Sequence, residues 1–131
     1  MILLDTDVMI DVLRKHSPAA AWLQVSPTEE LGLPRLALME LLQGCRTLDE
    51  QQRVQALLRP YILYWPTQAD CARALADFTA YHLSHNLGVL DSLIAETVIG
   101  LGVALATFNE KHYSAQDLRS CMLLPQLYCG S

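Results

Sequence analysis

A single α/β domain is what the 131-residue sequence predicts. Short apolar runs of strand length alternate with helical patterns, and prolines fall at the ends of the runs. No long linker, internal repeat or low-complexity tract interrupts the alternation, so one compact unit covers residues 1–131. A chain of this length can bury roughly two-thirds of its unfolded surface around one core.

The first strand is expected over residues 1–5, an apolar run that ends abruptly in Asp5-Thr6-Asp7. In open α/β folds the C-terminal rim of the strands is where ligands bind, so acids placed there read as a site. The competing reading is plain helix capping, with Thr6 or Asp7 opening a helix over residues 8–14. A second helix is expected over 18–24 and a strand over 30–33. The helix over 36–44 carries Glu40 among apolar neighbours and ends at Gly44, so it is expected to be apolar nearly all round and largely buried. A carboxylate there is costly unless it is metal-bound or paired, for instance with Arg35 or Arg46.

Further along, a helix is expected over 50–58, a strand over 61–65 and a long helix over 69–86. Asp91 stands where a loop becomes the helix over 92–101, which makes it a candidate N-cap as well as a candidate ligand. The strand over 103–107 ends in Thr107 and is followed by Asn109, each of which alone could simply make a turn. A last strand is expected over 122–124. Four element ends therefore carry oxygen donors, the type of ligand that hard cations such as Mg²⁺ take.

Fourteen Asp and Glu against nine Lys and Arg give a net charge of −5. That argues against a protein that coats nucleic acid through a basic surface. It leaves a nuclease open, because clustered acids add negative charge themselves and bound Mg²⁺ or Mn²⁺ supplies positive charge beside a phosphate. Cys45, Cys71, Cys121 and Cys129 form no C-x-x-C pair and match no His spacing, which argues against zinc and a disulfide framework. No apolar run reaches the roughly 18 residues of a membrane span, and the N-terminus lacks a signal-peptide pattern. The expected compartment is the cytoplasm.

Taken together, Asp5 in I-L-L-D-T-D-V-M-I-D, Glu40 in M-E-L-L-Q-G, Asp91 in L-D-S-L-I-A and T-F-N-E-K-H-Y at residues 107–113 resemble the PIN domain, most closely the VapC toxins of bacterial toxin–antitoxin pairs. The resemblance spans essentially the whole chain. It implies a five-stranded parallel sheet between helices in an α/β/α sandwich, a Mg²⁺- or Mn²⁺-dependent endoribonuclease, a homodimer, and inhibition by a cognate antitoxin protein. It also places the family's three best-defined acids on Asp5, Glu40 and Asp91. The fourth, commonly acidic position falls on Asn109, with the family's hydroxyl on Thr107. An amide oxygen can ligate a metal or orient water but cannot act as a carboxylate base. Glu110 is the neighbouring substitute and ranks below Asn109, while Asp7 falls on a variable polar position and reads as an outer supporting group.

The resemblance implies hydrolysis of an RNA phosphodiester by metal-activated water that would leave a 5′-phosphate, with no need for a side-chain nucleophile. Ser92 and the cysteines show no His–acid partners, which argues against covalent catalysis. Arg14, Lys15, Arg46 and Lys111 are the candidate RNA contacts, although each also reads as an ordinary surface or helix-end charge. Trp22 and Trp65 lie in apolar segments and read as core or interface rather than base-stacking platforms. The 52% hydrophobic composition and mean hydropathy of +0.22 leave apolar surface for a second copy and an antitoxin. An amphipathic antitoxin helix is expected along the early helices, with a basic side chain on Asp5, Glu40 or Asp91.

Two alternatives compete. Asp5-x-Asp7 after a strand also resembles the opening of haloacid-dehalogenase-type phosphatases, with Asp5 as nucleophile, but Asp91 is followed by Ser92 rather than a second acid. A phosphoacceptor receiver domain would need an Asp ending the central strand, where the chain instead has Pro66, and would leave Glu40 without a task.

Overall fold

A computed structural model describes residues 1–13, 31–107 and 121–123. In chain order these are β1 (Ile2–Leu4), α1 (Thr6–Leu13), β2 (Leu31–Pro34), α2 (Arg35–Gln43), α3 (Leu48–Leu58), β3 (Ile62–Tyr64), α4 (Gln68–His85), α5 (Val89–Leu101), β4 (Ala104–Thr107) and β5 (Cys121–Leu123). All five strands lie in one parallel sheet in the order β3-β2-β1-β4-β5. The reversal of strand order falls beside β1, and in open parallel sheets the crevice at that point is where ligands sit. The helix expected over 18–24 lies outside the described residues.

The alternation of side chains along β1 builds two cores, one on each face. Ile2 and Leu4 pack with Val8 and Met9 of α1, with Leu33, Leu41 and Ala106, and with Val54 and Leu58 of α3. Leu3 faces the other way, with Leu105, Ala37 and the α5 residues Ile94, Ala95 and Val98. Near-continuous apolar strands are what burial on both faces requires. Gly32 sits where no side chain fits: a Cβ there would lie 2.9 Å from both Leu3 Cδ2 and the Tyr64 ring. That ring runs back over the sheet, and its hydroxyl reaches Met1 Sδ at 3.0 Å.

Helix starts follow local hydrogen bonding. Thr47 accepts from the Glu50 amide and caps α3, while Thr67 and Asp70 form a reciprocal capping box at the start of α4. Helix α1 begins at Thr6 rather than at residue 8, because the Asp5 carbonyl already accepts from the Met9 amide at 3.1 Å. Helix α5 begins at Val89, with Gly88 as its N-cap, so Asp91 lies inside the first turn and is not the cap. Helix α2 is less buried than its composition suggests. Ala37 and Leu41 are its buried residues, whereas Met39 is exposed and Glu40 half-buried.

Helices α4 and α5 are joined by polar contacts in an otherwise apolar layer. Ser92 Oγ donates to the Ala74 carbonyl at 2.9 Å. Arg73 reaches from α4 to Glu96 at 2.8 Å and also pairs with Asp70. Gly100 passes so close to this pair that a Cβ there would meet the Asp70 carboxylate and Arg73 Nη2.

Candidate active site

Asp5 follows the last residue of β1 and holds the N-cap position of α1, at only 5% exposure. Its amide donates to the Ala106 carbonyl at 3.0 Å, extending the β1–β4 ladder by one bond. The carboxylate is fixed from two sides. Oδ1 accepts from the Thr6 amide at 2.8 Å, and Oδ2 accepts from the Thr107 hydroxyl at 2.8 Å. Thr107 is fully buried and ends β4, so the two central strands are tied at their C-terminal rim by a charged acceptor. Asp7 Oδ2 lies 3.4 Å from the same hydroxyl. A hydroxyl has one proton, and the shorter bond to Asp5 takes it, with Asp7 lying close to the same hydroxyl.

Glu40 enters from α2. Its Oε1 accepts from the Thr6 hydroxyl at 3.0 Å, so Thr6 serves Asp5 with its amide and Glu40 with its side chain. The expected alternative of a Glu40–Arg35 ion pair is not what forms, because the Arg35 guanidinium lies over the Trp65 ring instead. Glu40 also borders a groove of about 650 Å³ between α1, α2 and α3, whose walls include Ile10, Leu13, Leu41, Val54 and Leu57.

Asp91 reaches the same rim by topology. Helix α5 ends at Leu101, just before β4 starts at Ala104, and packs along the sheet face. Its N-terminal end therefore returns to the C-terminal ends of the strands. Asp91 Oδ2 turns toward the N-cap, 3.2 Å from where a Cβ of Gly88 would stand. An acid in the first helical turn also meets the positive end of the helix dipole.

Arg46 is exposed and lies past the C-terminal end of α2, a helix about 13 Å long that starts at the rim. Its amide donates to Glu50 Oε2 at 2.9 Å, a role at the start of α3. Asn109, Glu110, Lys111, Arg14, Lys15 and Trp22 lie outside the described residues. Trp65 is 59% exposed and so is not core, because β3 is an edge strand among the described residues and the chain leaves the sheet at Pro66; an interface position, the other half of the expectation, is compatible with that exposure. The Asp70–Arg73–Glu96 network was not legible either. Its partners lie up to 23 residues apart, and only the Thr67–Asp70 capping spacing hints at one of them.

The PIN domain family model matches residues 2–118. This chain belongs to the PIN domain family. Its relatives include Ribonuclease VapC10 of Mycobacterium tuberculosis, 36% identical over 116 residues that cover 86% of each chain. Solved structures with the same fold include a toxin–antitoxin complex from Klebsiella pneumoniae, with a TM-score of 0.75 and 21% identity over 93% of this chain and 96% of that one. FitAcB from Neisseria gonorrhoeae has a TM-score of 0.70 and 23% identity, covering 96% of this chain and 99% of that one. The five-stranded parallel sheet and the family membership match the sequence-based expectation. The phosphatase and receiver-domain alternatives fall with it.

PIN-domain VapC nucleases as a group depend on divalent metal. The donor chemistry of this PIN domain suits a hard cation, since Asp5, Asp7 and Glu40 bring carboxylate oxygens to one rim and hydroxyls orient them. Among the described residues, no three His, Cys, Asp or Glu side chains form a metal-holding group by themselves. An ion here would be held by few protein oxygens and several waters, as Mg²⁺ commonly is.

Proposed function

We propose that this protein is a divalent-metal-dependent endoribonuclease, the toxin of a toxin–antitoxin pair, using Mg²⁺ or Mn²⁺ to hydrolyse RNA phosphodiesters. The observation that carries this reading is the buried Asp5 carboxylate, oriented by the Thr6 amide and the Thr107 hydroxyl at the sheet's switch point. The family relationship to Ribonuclease VapC10 supports the activity.

Asp5 would hold the ion directly, Glu40 and Asp91 would join it through bound waters rather than as a preformed three-acid cluster, and Asn109 would be the fourth, uncharged position. When bound, the ion supplies an activated water and offsets charge on the phosphoryl oxygens. The protein's own part is orientation. Thr6 keeps Asp5 and Glu40 in register, Thr107 fixes the second Asp5 oxygen, and the N-terminal end of α5 favours a nearby phosphate. Ser92 takes no part in chemistry, because its buried hydroxyl is spent on the Ala74 carbonyl.

The groove beside Glu40 fits an antitoxin helix. Its walls are mostly apolar, and a basic side chain at the helix end could reach Glu40. A homodimer is proposed through the α4–α5 face, where Leu75 and Val89 are exposed around a second apolar groove that also includes Phe78. No helix among the described residues is long and apolar enough to cross a membrane. Action in the cytoplasm is part of the proposal.

The test is cleavage of a total-RNA substrate by purified protein with Mg²⁺, Mn²⁺ or EDTA. Cleavage should need the metal, leave 5′-phosphates, and fall by several orders of magnitude in Asp5→Asn and Asp91→Asn. Full activity in EDTA, or in Asp5→Asn, would overturn the reading.

A further inference from the structure

Trp65 is the described aromatic whose position is hardest to explain by packing. Burying a large apolar side chain is favourable, yet Trp65 stays 59% exposed at the end of an edge strand. The Arg35 guanidinium carbon lies 5.3 Å from its ring centroid, and the Arg35 Nε is buried with no hydrogen-bond partner among the described residues. The aromatic face thus holds the cation in place of a carboxylate.

Register places this pair at the same strand-end rim as Asp5, two strands away. Leu3 pairs with Gly32 and Gly32 with Ile62, so two residues on, Asp5 is level with Pro34 and Tyr64, and Trp65 comes next. Two strand spacings amount to about 10 Å. A strand of RNA with its scissile phosphate at Asp5 would carry a base roughly one or two nucleotides away over Trp65.

We propose that Trp65, with Arg35 stacked on it, is the platform on which an unpaired base of the RNA substrate stacks beside the scissile bond. The inference rests on the ribonuclease reading and adds to it the means by which an acidic protein grips single-stranded RNA. Unpaired bases are recognised by aromatic faces and guanidinium planes, and stacking tolerates any base because each has a π-face. Arg35 supplies positive charge for the adjoining phosphate, which the net charge of −5 makes scarce. A protein anchor is the competing occupant. The apolar groove beside Glu40 is walled by other residues, and a cation on the ring suits a polyanion better than an apolar helix.

The experiment measures binding in EDTA, where cleavage is blocked, with full-length wild type, Trp65→Leu and Trp65→Phe. The probes are a 12-nucleotide mixed-sequence single-stranded RNA and an abasic ribose-phosphate oligomer of the same length. Wild type should prefer the RNA, Trp65→Leu should weaken RNA binding about tenfold or more and lose the preference, and Trp65→Phe should stay within about threefold. In a Trp22→Phe background, the RNA but not the abasic oligomer should quench the remaining tryptophan emission. Unchanged affinity and preference in Trp65→Leu would overturn the platform. So would a Trp65→Leu protein that binds RNA normally but no longer co-purifies with its antitoxin. Metal-dependent cleavage measured in parallel separates the two readings. If wild type cuts RNA and Trp65→Leu binds it normally, only the platform fails, whereas a wild type that neither binds nor cuts RNA overturns both.

Discussion

The Thr107 hydroxyl donates to Asp5 Oδ2 at 2.8 Å, a bond between residues 102 positions apart that closes the rim of the two central strands. Thr107→Val keeps the shape and removes the donor. The loss of a hydrogen bond to a charged acceptor should cost about 1.5–3 kcal/mol of stability and lower RNA cleavage roughly 10- to 100-fold. Thermal melting and single-turnover cleavage check both, and a variant with wild-type turnover would show that Asp5 needs no such support.

Divalent metal should stabilise the fold. A ligand bound only by the native state at 100 times its Kd adds about 2.7 kcal/mol, so saturating Mn²⁺ should raise the Tm by several degrees. In the metal-free protein Asp91→Asn should raise the Tm, by relieving repulsion from Asp5 and Glu40 across the rim, and should blunt the Mn²⁺ response. A melting curve indifferent to Mn²⁺ and to the substitution would return Asp91 to a purely helical role.

Stability should carry a pH signature from Glu96. Burial raises its carboxyl above the ordinary value and the hydrogen bond with Asp77 adds to this, while Arg73 pulls the other way. The folded protein therefore holds that proton more tightly than the unfolded chain. The stabilisation is complete below the ordinary carboxyl value and is lost as pH rises through the raised one. Glu96→Gln keeps a neutral side chain throughout, so its Tm relative to wild type should climb between pH 4.5 and 8. A gap that stays constant or narrows over that range would contradict the raised carboxyl.

Antitoxin binding should depend on the groove walls. Leu57 is exposed on α3 and lines the groove beside Glu40. Leu57→Glu puts a charge where an apolar helix face would lie, and should weaken co-purification with the antitoxin by at least tenfold while leaving RNA cleavage unchanged. Retained growth rescue by the antitoxin would place the docking helix elsewhere.

Local signals determined much of this protein. The apolar run into Asp5 and the proline-bounded strands specified the α/β order, and the three acids could be named because each sits at or near an element end or in an apolar helix. Strand and helix periodicity depend on neighbouring residues, which is why they can be read in one dimension. What only the tertiary structure decided was the company those residues keep. Thr6 bridges Asp5 to Glu40, Arg35 turns to Trp65 rather than to Glu40, and Trp65 lies open because, among the described residues, β3 has no strand on its outer side. The Arg73–Glu96 pair likewise depends on α4 and α5 packing closely at Gly100. Such contacts come from strand order and helix approach, which join residues far apart in the chain, and no local pattern encodes which distant partner a polar side chain will meet.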